Sequence, residues 1–212
     1  MPEEINRIAT DSISDILLVT EESGCVNLLR EGIPKEKIHL VGNLMIDSLR
    51  RHLDQALKSD IAPRLGINGS KFGLVTLHRP ANVDDPLQLS EIASALETIS
   101  RDLELYWPVH PRTRANLEKS NVAVPPRIHL TEPLCYLDFL WMQANSTVVL
   151  TDSGGIQEET TVLQVPCLTL RENTERPVTV TCGSNRLAGT KKETILAAWR
   201  ETLENPKTGM IP

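Results

Sequence analysis

Leu150-Thr-Asp-Ser-Gly-Gly-Ile-Gln-Glu-Glu159 is the stretch whose reading decides the fold. A β-rich apolar run, Thr147 to Thr151, ends in a small Ser-Gly-Gly turn, and a helical pattern runs from Gly155 to Leu163. A strand, a glycine turn and a helix in close succession form the βα unit from which parallel sheets are built. The two glycines let the backbone approach a ligand closely. The first helical N–H groups have no partner inside the helix and sit at its positive end, so the turn is a natural anion cradle. Ser153 adds a hydroxyl donor. Glu158 and Glu159 lie about one turn in, where a carboxylate can accept hydrogen bonds from sugar hydroxyls. The plainer reading is an Asp/Ser cap followed by acidic first-turn residues that suit the helix dipole.

The same rhythm extends outward in both directions. Upstream, Phe72 to Leu77 reads as a buried strand, Pro86 to Asp102 as an amphipathic helix, Leu103 to Val109 as a strand, Arg112 to Lys119 as a helix, Ile128 to Thr131 as a short strand and Tyr136 to Asn145 as a helix. Downstream, Pro166 to Leu170 reads as a strand and Lys192 to Leu203 as the last helix. Strand alternating with helix implies an α/β fold, a Rossmann-like parallel sheet with helices on both faces. Asp60 to Ser70, with Pro63, Gly66 and Gly69, is the best candidate for a linker or domain boundary. Before it, Glu3 to Leu18 reads as a helix, Ile16 to Thr20 as a short β-rich run, Val26 to Arg30 as part of a helix stopped by Gly32, Lys37 to Gly42 as a strand and Leu44 to Leu57 as a helix.

In parallel sheets of this kind ligands sit outside the carboxyl ends of the strands, which directs attention to the strand-end loops. Leu77-His-Arg-Pro-Ala-Asn82 places His78 and Arg79 directly after an apolar strand. The histidine can serve as an acid, a base or a cation, and the arginine offers a fork for phosphate oxygens. Pro108-Val-His-Pro-Arg112 adds His110 and Arg112 at the same edge, although two prolines also make a simple fixed turn. Arg171-Glu-Asn-Thr-Glu-Arg-Pro177 follows the next strand and alternates in sign, as a salt-bridged loop would. Together these loops suggest an electropositive rim suited to a small phosphorylated ligand. Glu3 and Arg7, four apart, would face the same way on a helix as an ordinary surface ion pair. His39, His52 and His129 show no partner and read as structural.

Composition excludes several function classes. The 212 residues correspond to one large domain, or to one domain and part of another. The formal net charge of -6 argues against a general nucleic-acid binder. Aromatic residues at 3% leave little for stacking platforms or membrane belts. No apolar run reaches the roughly 18 residues that a membrane span needs, and the N-terminus lacks the basic start and apolar core of a signal peptide. Cys25, Cys135, Cys167 and Cys182 form no C-x-x-C pair and no metal spacing. They are expected to be reduced, mostly buried thiols of a cytoplasmic protein, and no metal or cofactor is expected.

Six elements taken in order resemble the non-hydrolysing UDP-N-acetylglucosamine 2-epimerases: Met1-Pro-Glu-Glu-Ile-Asn-Arg7, Val41-Gly-Asn43 followed by Asp47, Thr76-Leu-His-Arg-Pro80, Pro108-Val-His-Pro111, Thr151-Asp-Ser-Gly-Gly-Ile-Gln-Glu-Glu159 and Arg171-x-x-Thr-Glu-Arg-Pro177. The similarity covers essentially the whole chain. It implies a glycosyltransferase-B architecture, in which this chain supplies the C-terminal half. Residues 1–60 would be an inter-domain helical segment and the start of the second domain, and residues 61–212 the C-terminal Rossmann-like nucleotide-binding domain. The implied reaction interconverts UDP-N-acetylglucosamine and UDP-N-acetylmannosamine. The C2 proton is removed and UDP expelled to give a 2-acetamidoglucal, then UDP adds back with the proton delivered to the other face.

By position, the resemblance implies that Glu3, Arg7 and His78 act in catalysis. It also implies that Arg79, His110, Phe139, Ser153, Gly154, Glu159 and Arg176 bind substrate, with Phe139 against the uracil, Glu159 on the ribose, and Ser153 and Gly154 on phosphate. The family's Gly-Asp-Thr and His-x-Glu-Ala-Gly elements, which serve its proton chemistry, do not occur in these 212 residues. The expectation is therefore a truncated form, weakly active or inactive alone, that retains weakened UDP binding. The alternatives are a non-catalytic UDP-sugar-binding subunit completed by a partner chain, and half of a related glycosyltransferase or hydrolysing epimerase. Expected partners are UDP and a UDP-N-acetylhexosamine, with a homodimer or a missing N-terminal half covering the apolar residues of the first helix, and no nucleic acid or membrane. The implied setting is cell-surface polysaccharide biosynthesis.

Overall fold

The computed structural model describes residues 2–120 and 124–207. Its internal contacts form two compact units, Met1–Ser48 and Leu49–Pro212. In the first, helix α1 (Pro2–Ile13) leads to strand β1 (Leu17–Val19), helix α2 (Glu22–Arg30), a 3-10 turn (Lys35–Lys37) and strand β2 (Ile38–Leu40). The two strands pair in parallel, Leu17 opposite Ile38 and Val19 opposite Leu40. Leu17, Val19 and Leu28 form a small core, with Cys25, Ile33 and Ile38 packed on it. Gly24 lets α2 lie close on β1, because a Cβ there would stand 2.7 Å from Val19 Cγ1. Helix α1 stops at Ile13 rather than at Leu18. From Leu17 the chain alternates buried and exposed, a two-residue period that only a strand satisfies. None of the described residues of α1 is buried, and Ile5, Ile8 and Ile13 are exposed.

Helix α3 (Leu44–Ala56) and helix α4 (Ile61–Arg64) precede a βα alternation: β3 (Phe72–Thr76), α5 (Pro80–Val83), α6 (Pro86–Ser100), β4 (Glu104–Pro108), α7 (Pro111–Lys119), β5 (Ile128–Thr131), α8 (Tyr136–Asn145), β6 (Val148–Thr151), α9 (Gly154–Leu163), β7 (Cys167–Thr169), α10 (Pro177–Thr181), β8 (Asn185–Leu187) and α11 (Lys192–Glu204). Strands β3 to β8 form one sheet in the order β5-β4-β3-β6-β7-β8, with every pairing parallel. Numbered within this sheet the order is 3-2-1-4-5-6, the doubly wound Rossmann arrangement, and the topology reverses between β3 and β6. The expected α/β class is what the chain adopts.

Burial on both faces explains why the strands read as near-continuous apolar runs. Val75, Leu105, Trp107, Val148, Leu150 and Leu168 face one cluster with Leu89, Ile92, Leu96 and Ile99 of α6 and Ile195 and Trp199 of α11. Phe72, Leu74, Tyr106 and Val149 face the other, with Met142 of α8. Each such fully buried aliphatic side chain contributes about 1.5–3 kcal/mol.

Asp60 to Ser70 is not a bare linker. It carries α4, and Ile61 and Ile67 are buried in the second cluster. The short elements α5, α10 and β8 were not expected from the sequence.

Candidate functional site

The reversal point of the sheet brings the ends of β3 and β6 side by side, with Thr76 paired to Thr151. The next residue on β6's side, Asp152, is completely buried. Its carboxylate accepts hydrogen bonds from the backbone N–H groups of His78 (3.1 Å to each oxygen) and Arg79 (2.9 Å) and from Asn82 Nδ2 (3.1 Å). His78 Nδ1 lies 2.9 Å from Asp152 Oδ1. Asn82 Nδ2 also donates to the Leu170 carbonyl at 2.9 Å, so one side chain links the ends of three strands. The hydrogen bond to Asp152 raises the His78 pKa above its usual value, against the opposing effects of burial and of the Arg79 and Arg171 charges. More than half of the His78 side chain stays exposed, which leaves its ring accessible.

Helix α9 begins at Gly154, beside this junction. Ser153 is its N-cap residue in extended conformation, but its hydroxyl makes no capping hydrogen bond. No side-chain cap therefore fixes the Ser153 hydroxyl, which stands beside the unpaired first amides at the positive end of α9. Farther along α9, Glu159 is buried and accepts from Gln143 Nε2 at 2.7 Å. Burial raises its pKa, and the neighbouring Glu158 adds to this. Phe139 of α8 is half-buried on the second core cluster, which also carries Ile156 of α9.

The loop after β7 is anchored to α9 through a buried amide. Gln157 Oε1 accepts from Thr174 Oγ1 (2.6 Å) and Asn185 Nδ2 (3.1 Å), and Gln157 Nε2 donates to the Ser153 carbonyl (3.1 Å). Carboxylates within the rim pair with its arginines. Glu175 pairs with Arg171 through two contacts of 2.7 and 2.8 Å and lies 3.7 Å from Arg79. Arg176 pairs with Glu158 (3.2 Å), and Arg112 with Asp84. Glu158 is thus held by an arginine rather than presented as expected. The reason is electrostatic: guanidinium groups gathered at one strand edge repel, and carboxylates within reach relieve that repulsion. Glu175 Oε2 stands 3.8 Å from where a Cβ on Gly154 would lie, so a carboxylate already sits at the mouth of the anion cradle. Arg79 Nε is buried without a hydrogen-bond partner among the described residues.

The Arg171 guanidinium holds the Glu175 carboxyl down at about 2, against an ordinary 4.5. A depressed carboxyl stabilises fully above its unfolded value and loses that contribution as pH falls. The Arg171–Glu175 link is therefore complete above about pH 4.5 and lost on approach to pH 2. Carboxyl-carbon NMR on the intact chain should show Glu175 still ionised at pH 3.5. In Arg171→Met its midpoint should return toward 4.5, and an unshifted midpoint would remove the pair from the loop's design.

The remaining sequence candidates fall as follows. His110 caps α7, its Nδ1 accepting from the Arg112 N–H at 3.3 Å, at the same sheet edge as His78. In the first unit, Arg7 pairs with Glu4 (2.7 Å), Asp11 (2.7 Å) and Glu31 (2.6 Å). The expected Glu3–Arg7 pair does not form among the described residues. Glu4 one turn back, Asp11 one turn on and Glu31 of α2 converge on the guanidinium, while Glu3 remains exposed. His129 and His52 do have partners: His129 meets Glu104 (3.2 Å) and stacks on Tyr106, and His52 packs edge-on to Tyr136. The cysteines are free, but only Cys167 is buried, while Cys135 and Cys182 are exposed. Among the described residues no helix is long and apolar enough to cross a membrane. Sequence reasoning missed Asp152, Asn82 and Gln143 as site residues. Asp152 lay inside the quoted motif, but nothing local marks its partners.

Comparison with known proteins agrees with this fold. A family model described as UDP-N-acetylglucosamine 2-epimerase matches residues 1–210. The UDP-N-acetylglucosamine 2-epimerase of Methanococcus maripaludis is 40% identical over 214 residues, which covers 97% of this chain and 58% of that protein. A UDP-2,3-diacetamido-2,3-dideoxy-D-glucuronate 2-epimerase of Pseudomonas aeruginosa is 39% identical, covering 96% and 56%. The crystal structure of the Methanocaldococcus jannaschii UDP-GlcNAc 2-epimerase in complex with UDP-GlcNAc and UDP superposes with a TM-score of 0.86 at 40% identity, over 100% of this chain and 62% of that one. The chain thus spans somewhat more than half the length of the relatives it matches. From its strand order and a family match that extends over residues 1–210, the chain belongs to the UDP-N-acetylglucosamine 2-epimerase family.

Proposed function

We propose that the 49–212 unit holds the UDP end of a UDP-N-acetylhexosamine in the crevice outside β3 and β6, and that the reaction served is C2 epimerisation by loss and re-addition of UDP. The observation that carries this reading is the junction of the α9 amino terminus with the His78–Arg79 loop at the sheet's reversal point. Its support from outside is that a relative seen with UDP-GlcNAc and UDP matches this chain along its whole length.

Each role follows from chemistry. When the C1–O bond breaks, the electron pair goes to the diphosphate, and the growing charge needs fixed donors. The α9 amides at Gly154, the Ser153 hydroxyl, His78 and Arg79 are such donors, with Arg176 and His110 on the same edge. Glu159 accepts from the ribose hydroxyls, and Phe139 lies against the uracil. A nucleotide gripped at base, ribose and diphosphate stays bound while the glucal waits, which re-addition requires. Glu3 and Arg7 are assigned to catalysis by their match to the family motif. Epimerisation needs a positioned acid and base, and the Gly-Asp-Thr and His-x-Glu-Ala-Gly elements that serve this in the family are absent from these residues.

The expected result is that the 212-residue chain binds UDP at least tenfold more tightly than uridine, since charge-assisted hydrogen bonds to the diphosphate each contribute about 1.5–3 kcal/mol. Conversion to UDP-N-acetylmannosamine is expected to be slow or undetectable. Isothermal titration with UDP, uridine and pyrophosphate, beside a coupled epimerase assay, measures both. Equal affinity for uridine and UDP would remove the diphosphate cradle from the reading, and release of free N-acetylmannosamine with UDP would point to a hydrolysing enzyme.

A further inference from the structure

We propose that Asp152 is the positioning residue of this site: its buried carboxylate fixes the His78 ring with the proton on Nδ1, so that Nε2 is the atom presented to the diphosphate. This rests on the UDP-binding reading for what Nε2 meets, but not for the state of the ring.

The hydrogen-bond inventory forces the tautomer. The backbone N–H groups of His78 and Arg79 and the amide of Asn82 can only donate, so both Asp152 oxygens are acceptors. His78 Nδ1, 2.9 Å from Oδ1, must therefore be the donor. That leaves Nε2 either as a lone pair, in the neutral ring, or as an N–H, in the cation. Complete burial of Asp152 makes the pairing strong, because no water competes for the carboxylate.

The charges around His78 come from three elements. Asp152, at the β6 end, favours the cation. Arg79 on the histidine's own loop and Arg171 after β7 oppose it, and Glu175 is ion-paired to both arginines. The buried partner prevails, so the ring stays cationic above the pH at which a free histidine loses its proton. An Nε2–H donor aimed at a diphosphate is a different device from an Nε2 base that removes the C2 proton, and the two predict opposite pH behaviour. A donor binds UDP more tightly below its own titration midpoint, whereas a base needs the neutral form.

The test uses the chain with ¹⁵N-labelled histidine. Long-range ¹H–¹⁵N spectra report the tautomer directly, and a pH series of UDP titrations reports the binding inflection. In the unaltered chain His78 is expected to carry its proton on Nδ1 when neutral and to titrate above 6.5. UDP affinity should fall as pH rises through that same midpoint. Asp152→Asn should lower the His78 midpoint, because it removes the carboxylate that raises it, and move the UDP inflection with it. Asn82→Ala loosens the same junction, removing the links to Asp152 and Leu170 but keeping the Nδ1 partner. Its UDP affinity should weaken with the inflection unmoved.

An Nε2–H tautomer in the unaltered chain overturns the proposal, and that measurement needs no variant to fold. Equal weakening in both variants with no shift of the inflection overturns it as well, by reducing Asp152 to a structural tie. Should the chain bind no UDP, the tautomer and midpoint still decide the role of Asp152, and only the UDP reading falls.

Discussion

Gly183→Ala is expected to destabilise the 49–212 unit by about 3 kcal/mol, the upper part of the range for forcing a methyl group into a packed site. Gly183 is buried between α10 and β8. A Cβ there would stand 2.4 Å from the Thr179 carbonyl oxygen, 2.5 Å from Thr161 Oγ1 and 2.8 Å from Thr161 Cγ2. The threonine lies on α9 and has little room to turn, since its hydroxyl donates to the Gln157 carbonyl at 2.8 Å. The carbonyl is backbone and moves only if α10 moves. The loss should appear as a lower urea midpoint with an unchanged slope. UDP affinity should weaken in parallel, because displacing α10 disturbs the Thr179–Asn185–Gln157 network that anchors the Arg176 loop. A change below about 0.5 kcal/mol, the size of an ordinary surface substitution, would mean that α9 and α10 separate easily and that the network does not fix the loop.

Glu159→Ala should cost about 2 kcal/mol of UDP binding, roughly 30-fold, and almost nothing in pyrophosphate binding. The reasoning is positional. On the proposed reading the α9 amino terminus meets the diphosphate, whereas Glu159 lies beyond the first turn, held by Gln143. A vicinal ribose diol supplies donors that such a carboxylate accepts. Removing it also leaves the buried Gln143 amide without its acceptor, which adds the cost of an unpaired polar group. Titration with UDP and pyrophosphate on the same protein separates this local loss from a general one. Equal weakening of both ligands would show that Glu159 supports α9 itself rather than the nucleoside.

The two predictions mark the difference between what was readable in sequence and what was not. The βα alternation was legible because strands buried on both faces leave uninterrupted apolar runs such as Phe72 to Leu77, and because helices of α6's length show their own period. The glycine-rich turn before α9 was legible for a local reason: Ser-Gly-Gly at a strand end is a backbone device that acts within a few residues. The edge strand β8 was not, because three residues, Asn-Arg-Leu, carry no periodicity. Its place is set instead by Thr169 Oγ1 donating to Asn185 Oδ1 at 2.7 Å and by the links from Asn185 to Gln157 and Thr179. Helix α10 likewise has too few turns to show a pattern and begins behind Pro177 in a loop that reads as charged.

By itself the sequence determined the class of sheet, the strand ends where chemistry gathers, and the family, since each of these follows from periodicity or from motifs whose residues act close together along the chain. Only the tertiary structure decided which charges meet. It placed Asp152 under His78 across 74 positions, paired Glu175 with both Arg79 and Arg171, and gave Arg7 to Glu31 rather than to Glu3. Hydrogen bonds and ion pairs act over a few ångströms in space whatever the separation along the chain, so their partners are fixed only once the fold has brought distant segments together.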